Sequence, residues 1–373
     1  MPLLNFTEPQ TLTELTGRLP EVVEDIVRKV EIQSDFSIRH PDYKPLELPS
    51  GVVTRFQKMP TQMQQKYISL QLRSFLYGIY YNGSMRTALA LDGENNSLPL
   101  NLENNTILGV DLDFYERLDK SNSGEGYFDP GWCVIREENG GSLAVNKGGL
   151  RLYIQRDKHL KTIEKDALVG DTVSIKLPKN RVQNGFYMAV SNVGLNYLDD
   201  VQNQSVTVRI YFNITPEGAV AVMGRLTQQL NELAVPFSFK VLYNPKEYQR
   251  YDSGVLYFDR RDYEIVRQVL TNIYQEYQSF FKPEIPLFTK QLAPGLGLAE
   301  EPDHKFAIQE SFGMNRCQIV ANGLLAARHE SNDSPQERKQ AICDKFSLLG
   351  ISLDRSYLNS KSEDIYVILD ISR

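Results

Sequence analysis

Cysteine is scarce and odd in number. Cys133, Cys317 and Cys343 stand far apart with no CxxC pair, which excludes zinc held by cysteine spacing and fits a reducing compartment. The four histidines, His40, His159, His304 and His329, lie in neither an HExxH nor an HxH context, so no metal is expected. GxSxG, GxGxxG and GxxxxGK[ST] are all missing, which removes support for a hydrolase triad or a nucleotide loop. The kinase landmarks HRD and DFG are missing too, and Tyr257-Phe258-Asp259 does not replace them. No apolar run is long enough to cross a bilayer. The opening residues, Met1 to Glu8, lack the basic start of a signal peptide. A net charge of −6 argues against a general nucleic-acid binder. These absences predict a cytoplasmic protein with no cofactor, no nucleic-acid partner and no membrane partner.

What is present suits a folded globular chain. Of 373 residues, 41% are hydrophobic and 24% charged, enough apolar material for a core. Residues 9–33 read as helical, with capping-box spacing at Thr11-Leu12-Thr13-Glu14 and Pro20 in a first turn. Pro41, Pro45 and Pro49 predict an extended connector over 34–51. Residues 61–81 repeat apolar side chains at helical intervals. The Asn-rich stretch 91–106 reads as a loop, and residues 111–120 as a short helix.

At Ser121 to Gly126 the texture changes from helical to strand-like. Short strands follow at 132–135, 143–145, 150–154, 173–177 and 185–190, with glycine turns among them. Later segments read as a helix over 262–281, with Ile265, Val266, Val269, Leu270 and Ile273 inward. A loop over 282–306, helices over 312–328 and 335–349, and a last strand over 365–369 complete the chain. The expected class is α+β. A helical N-terminal lobe (1–125) packs on a larger mixed or antiparallel sheet with flanking helices (126–373).

The stretch Val206 to Asp262 organises the chain. Alternating strand patterns at 206–214 and 236–243 flank a helical segment, and a third strand covers 254–258. Lys240 sits in the second strand with no acid beside it. Arg209, Arg250, Arg260 and Arg261 are near in sequence, and Arg151 and Arg316 are further cationic candidates. Arginine grips phosphate with two prongs. Lysine serves as a base once burial or neighbouring positive charge lowers its pKa. The residues alone favour the plainer reading, a strand lysine whose stem covers apolar surface while its amine stays in water. Ser311 is placed to cap a helix with Arg316 one turn in, an arrangement that suits an anion.

Six blocks carry a resemblance: Val169–Pro178, Val208–Asn213, Pro236–Val241, Arg250–Tyr257, Gly297–Glu300 and Ser311–Arg316. In this order, over roughly residues 130–328, the chain resembles the HopA-type effector family of type III secretion. Relatives of that family occur in gene clusters for class V lanthipeptides and thioamitides. The resemblance implies a lyase-like partner of an aminoglycoside-phosphotransferase-like kinase. The kinase phosphorylates Ser or Thr of a precursor peptide, and the HopA-like protein eliminates the phosphate to leave dehydroalanine or dehydrobutyrine, without a metal. It implies Lys240 as base, Arg250 and Arg316 on the phosphate, and Arg209 and Tyr257 as helpers, with Ser311 supporting. The distantly similar phosphothreonine lyases carry an acid histidine about where Tyr211 stands, so Tyr211 or Arg209 has to assist the leaving group. The alternatives are a non-catalytic phosphopeptide- or kinase-binding partner, and a secreted effector acting on host proteins. The lyase reading requires Lys240 and Arg316 to face one cleft.

Overall fold

The computed structural model describes residues 18–48, 50–91, 106–107, 109–195, 206–329 and 333–371. The capping box at Thr11 and nearly all of the 91–106 loop lie outside them. The first helix, α1 (Arg18–Lys29), leads into an antiparallel sheet of β1 (Glu31–Ile32), β2 (Ile38–His40) and β3 (Tyr43–Leu46). This small sheet occupies part of the stretch expected to be a plain connector. Pro45 fits because β3 is an edge strand. After α2 (Ser50–Phe56), α3 (Thr61–Leu76) runs on into a π-helical turn, Tyr77–Tyr81. A hairpin of β4 (Thr106–Ile107) and β5 (Val110–Asp111) precedes α4 (Leu112–Ser121), whose start Asp111 caps by accepting from Phe114 N–H at 2.9 Å.

A four-stranded antiparallel sheet follows: β6 (Tyr127–Glu137), β7 (Leu143–Lys147), β8 (Leu150–Ile154) and, beyond the single turn α5 (Arg156–His159), β9 (Thr172–Leu177). The larger sheet is built from β10 (Asn180–Gln183), β11 (Phe186–Val190), β12 (Thr207–Phe212), β13 (Phe237–Leu242) and β14 (Gly254–Asp259), with β15 (Lys290–Ala293) and β16 (Leu296–Glu300). Its order is β10-β11-β13-β14-β12-β16-β15, with every neighbour antiparallel. Helix α6 (Pro216–Glu232) links β12 to β13, and α7 (Tyr263–Tyr277) follows β14. The last helices are α8 (Phe312–His329) and α9 (Pro335–Leu348). The α+β class is as the residues predicted.

Strand periodicity divides the large sheet into two faces. Val208, Ile210 and Phe212 of β12 share one face with Phe237, Phe239 and Val241 of β13 and with Leu256 and Phe258 of β14. All are fully buried in a core with α4, α6 and α7. Each such side chain contributes about 2 kcal/mol by leaving water. The opposite face carries Arg209, Tyr211, Ser238, Lys240, Val255 and Tyr257. Over Tyr211 and Val255 it is covered by α3, the π turn and α8, in a second core that also takes in α1 and α9. The close approach at α8 depends on Gly313, where a Cβ would lie 2.3 Å from the Tyr81 ring.

Three expectations need correction. Residues 282–306 are not a loop: β15 and β16 lie there, turning at Gly295 (φ 74°), and β16 is buried throughout beside β12. Its Leu-Gly-Leu-Ala run hides a strand because glycine supplies no side chain to show the alternation. Residues 365–369 are irregular, held by Leu369 N–H donating to Leu292 O at 2.9 Å and Val367 N–H donating to the Tyr263 hydroxyl at 3.0 Å. Ile265 does not point inward. It is 42% exposed, one residue off the stripe of Val266, Val269, Leu270 and Ile273.

A buried relay ties α1, β2 and the π turn together. Asp42 N–H donates to His40 Nδ1 (3.0 Å), which leaves the ring proton on Nε2, facing the Tyr80 hydroxyl (2.8 Å). Tyr80 donates to Asp25 (2.9 Å). Burial holds His40 below its ordinary pKa despite Asp25 and Asp42. The unfolded chain therefore takes up this proton near pH ~6.5, where the folded chain does not. Stability is lost as pH falls from there toward the folded value. A plot of thermal midpoint against pH from about 7.5 to about 5.5 should slope downward with acid, and less steeply in His40→Gln, whose amide still donates to Tyr80. Equal slopes would show that His40 is not the group responsible.

Candidate functional site

Lys240 and Arg209 stand on β13 and β12, either side of β14, so roughly 10 Å of sheet separates their strands. Arg209 is the direct cross-strand partner of Tyr257, and Lys240 that of Val255, one diagonal step from Tyr257. The Tyr257 ring consequently lies between the two cations, 5.0 Å from the Arg209 guanidinium and 5.4 Å from the Lys240 amine. On the far side of Lys240 stands Phe186 of β11, its ring centre 4.5 Å from the amine and 5.8 Å from the Arg250 guanidinium. The result is one row, Arg209–Tyr257–Lys240–Phe186–Arg250, in which cations and aromatic faces alternate.

The three cations differ in how their charge is met. Arg209 is 8% exposed and binds Glu301, whose other oxygen accepts from Lys305 at 2.5 Å. Burial works against the charge on Arg209, yet Tyr257, Tyr211 and Glu301 outweigh it and hold the guanidinium above its usual pKa. Arg250 forms a two-pronged pair with Asp252 at 2.5 and 2.9 Å. Here too burial opposes the charge and Asp252 overcomes it, so the pKa is raised. Asn82 and Tyr77 of the π-turn region donate to the same carboxylate (3.2 and 3.4 Å), which fixes β14's entry against α3. Lys240 differs. Its amine donates to Gln183 Oε1 at 3.3 Å, and among the described residues no carboxylate lies within ion-pairing distance.

The structure thus brings together Lys240, Arg209, Arg250 and Tyr257, four of the residues singled out from sequence. Tyr211 shares their face of the sheet, two residues along β12 from Arg209, but stands where α8 and the π turn cover it. Only 2% exposed, it packs beside Tyr81 and Phe312, and its hydroxyl is buried without a hydrogen-bond partner among the described residues. Burial raises its pKa, against the pull of Arg209. Ser311 does cap α8, accepting from Met314 N–H at 3.3 Å.

The expected phosphate role of Arg316 needs correction. The residue is 1% exposed and stacks over Phe312 (5.0 Å). Its guanidinium donates to Ser356 O (2.7 Å), Leu358 O (2.9 Å) and Asn315 Oδ1 (2.7 Å). It lies on the same side of the sheet as Lys240 but faces the C-terminal segment, so the two share no cleft. Phe186 and Gln183 escaped the sequence reading. The alternation at 185–190 placed Phe186 on a strand, but its side of the row depends on the pairing of β11 with β13.

Comparison with known proteins bears on this region. Residues 177–358 match the HopA1 effector protein family, so the resemblance drawn from the sequence holds over that stretch. Two solved structures are similar, each over 67% of this chain and 81% of that chain. One is the effector protein from Pseudomonas syringae pv. tomato strain DC3000 (16% identity, TM-score 0.39), the other that from Pseudomonas syringae pv. syringae strain 61 (14%, 0.40). No curated protein matches the chain. Among the described residues no helix is long and apolar enough to cross a membrane, and no three His, Cys, Asp or Glu side chains gather as a metal set.

The two kinds of cation separate by stability. Arg316→Ala strands two backbone carbonyls and opens a cavity, and should cost on the order of 3 kcal/mol in urea unfolding. Lys240→Ala loses two ring contacts and one exposed hydrogen bond to Gln183 and should cost less than about 1.5 kcal/mol. A reversed order would mean that Lys240 is the structural residue and the row merely scaffolding.

Proposed function

We propose, from the premise that residues 177–358 are those of a HopA1-family protein, that this chain eliminates phosphate from phosphoserine or phosphothreonine in a peptide. The observation that carries the reading is Lys240, a cation with no carboxylate partner among the described residues, standing between two arginines on an aromatic wall. In this scheme the Lys240 amine, in its unprotonated form, takes the α-proton and becomes ammonium, the C–H electron pair becomes the Cα=Cβ bond, and the Cβ–O bond breaks as the singly protonated phosphate ester leaves as the hydrogen phosphate dianion. Arg209 and Arg250 supply the positive charge that the departing dianion needs. Tyr257 and Phe186 keep water from one side of the amine, so that a base can act there. A kinase of the aminoglycoside-phosphotransferase type would supply the phosphorylated precursor peptide, and the product would be dehydroalanine or dehydrobutyrine.

Two observations favour a second reading, a protein that holds a phosphopeptide without chemistry. The Tyr211 hydroxyl, expected to assist the leaving group, is buried against Tyr81 and Phe312, and both arginines are already matched by carboxylates. The cleft expected between Lys240 and Arg316 is not formed, so the first reading rests instead on Arg209 and Arg250, which flank Lys240 in the row. A singly protonated phosphate leaves without a further proton donor, and on that ground the first reading stands as the conclusion.

Incubation with a synthetic phosphothreonine peptide, with and without the partner kinase, should give a product lighter by phosphoric acid. Lys240→Ala should slow this at least about a hundredfold. Arg250→Gln should lower kcat as well as raise KM, because its charge is used on the departing phosphate. Unchanged elimination in Lys240→Ala would remove it as the base. Binding with no elimination under either condition would establish the second reading.

A further inference from the structure

The four-stranded sheet carries an open edge that the proposed chemistry leaves unused. In its order, β8-β7-β6-β9, both β8 and β9 are edges. They are drawn toward each other because the chain after β8 turns back through α5 and bridges Leu160 to Ile175 of β9. A cavity of about 450 Å³ opens between them, walled by residues 152–154 on one side and 175–177 on the other.

The backbone of β8 is exposed along this opening. Its turn to β7 is Gly148-Gly149, both at positive φ (57° and 84°), pairing Lys147 with Leu150. Residues flanking a two-residue turn exchange hydrogen bonds, and bonding then alternates along the ladder. Leu150, Leu152 and Ile154 therefore aim their backbone groups at β7, while Arg151 and Tyr153 aim theirs outward. Among the described residues no backbone group pairs with that outward row. Exposed edges are ordinarily blunted by lysine, proline or a bulge. This one has no lysine, proline or bulge, and Arg151 is its single charged side chain. Leu150 and Tyr153 are 58% and 62% exposed.

The charge of the opening selects an occupant. Lys158 and Lys176 line it, both exposed and without an ion-pair partner among the described residues, against one carboxylate, Glu125. We propose that an extended acidic peptide segment of a partner docks here as a fifth strand. Its backbone pairs with Arg151 and Tyr153, its apolar side chains meet Leu152 and Leu177, and its carboxylates reach Lys158 and Lys176. A second copy meeting edge to edge would instead bring two lysine pairs together.

The test uses the full chain and fluorescein-labelled peptides alternating valine with either glutamate or lysine, read by anisotropy. The glutamate peptide should bind, more weakly as salt rises, and the lysine peptide should not. Tyr153→Pro removes one outward N–H from an edge strand and should weaken binding at least about tenfold. Lys158→Glu/Lys176→Glu, a surface change that leaves the ladder intact, should do the same. Lys240→Ala should bind as wild type, which separates this site from the proposed lyase chemistry. No binding of the glutamate peptide, equal binding of both peptides, or wild-type affinity in both edge variants would overturn the proposal. So would a dimer abolished by Tyr153→Pro with no peptide bound.

Discussion

A strand in the middle of a sheet has two faces and no others, and β12 meets that constraint from both sides. Hydrogen-bonded to β14 on one flank and β16 on the other, it cannot slip by a residue without turning Val208, Ile210 and Phe212 out of their core. The same register delivers Arg209 and Tyr211 to the opposite face. Every other part of the candidate site is referred to that choice. Tyr257 stands beside Arg209 because β14 is in register, and Lys240 is one diagonal step away because β13 is.

The second face could not remain open along its whole length. Where it carries Tyr211 and Val255 it needs apolar cover, and α3, the π turn and α8 supply it. Where it carries the cation–ring row, polar groups take over: Glu301 comes from the segment after β16, and Asp252 from the approach to β14. The boundary between the two regimes passes between Tyr211 and Arg209, neighbours on one side of a single strand. Phenol oxygens near that boundary are pushed toward the neutral form, as Tyr77 and Tyr211 both show, because burial penalises phenolate.

Much of this is visible in the residues. Strands β12, β13 and β14 alternate apolar and polar side chains, so both the elements and the shared face of Arg209, Tyr257 and Lys240 follow from period two. Strand β16 was illegible because glycine hides alternation, and its loss removed the flank that fixes β12. The π turn looks like plain helix in the sequence, since its apolar spacing continues that of α3. Arg316 shows a different limit. A helix cap and a nearby arginine suit an anion, but its acceptors are backbone carbonyls some 40 residues away in an irregular segment. Carbonyls leave no mark in a sequence, so an arginine that clasps them looks the same as one awaiting a ligand.

Glu301 holds Arg209 with one oxygen and Lys305 with the other. The guanidinium is buried, so its desolvation has been compensated by that carboxylate before any ligand arrives. An anion entering there cannot simply add to a vacant positive charge. It must exchange with Glu301, as a counter-ion exchanges on a resin, and the displaced carboxylate remains tethered through Lys305. Selectivity at such a position rests on how much better the newcomer fills two guanidinium prongs than a carboxylate does.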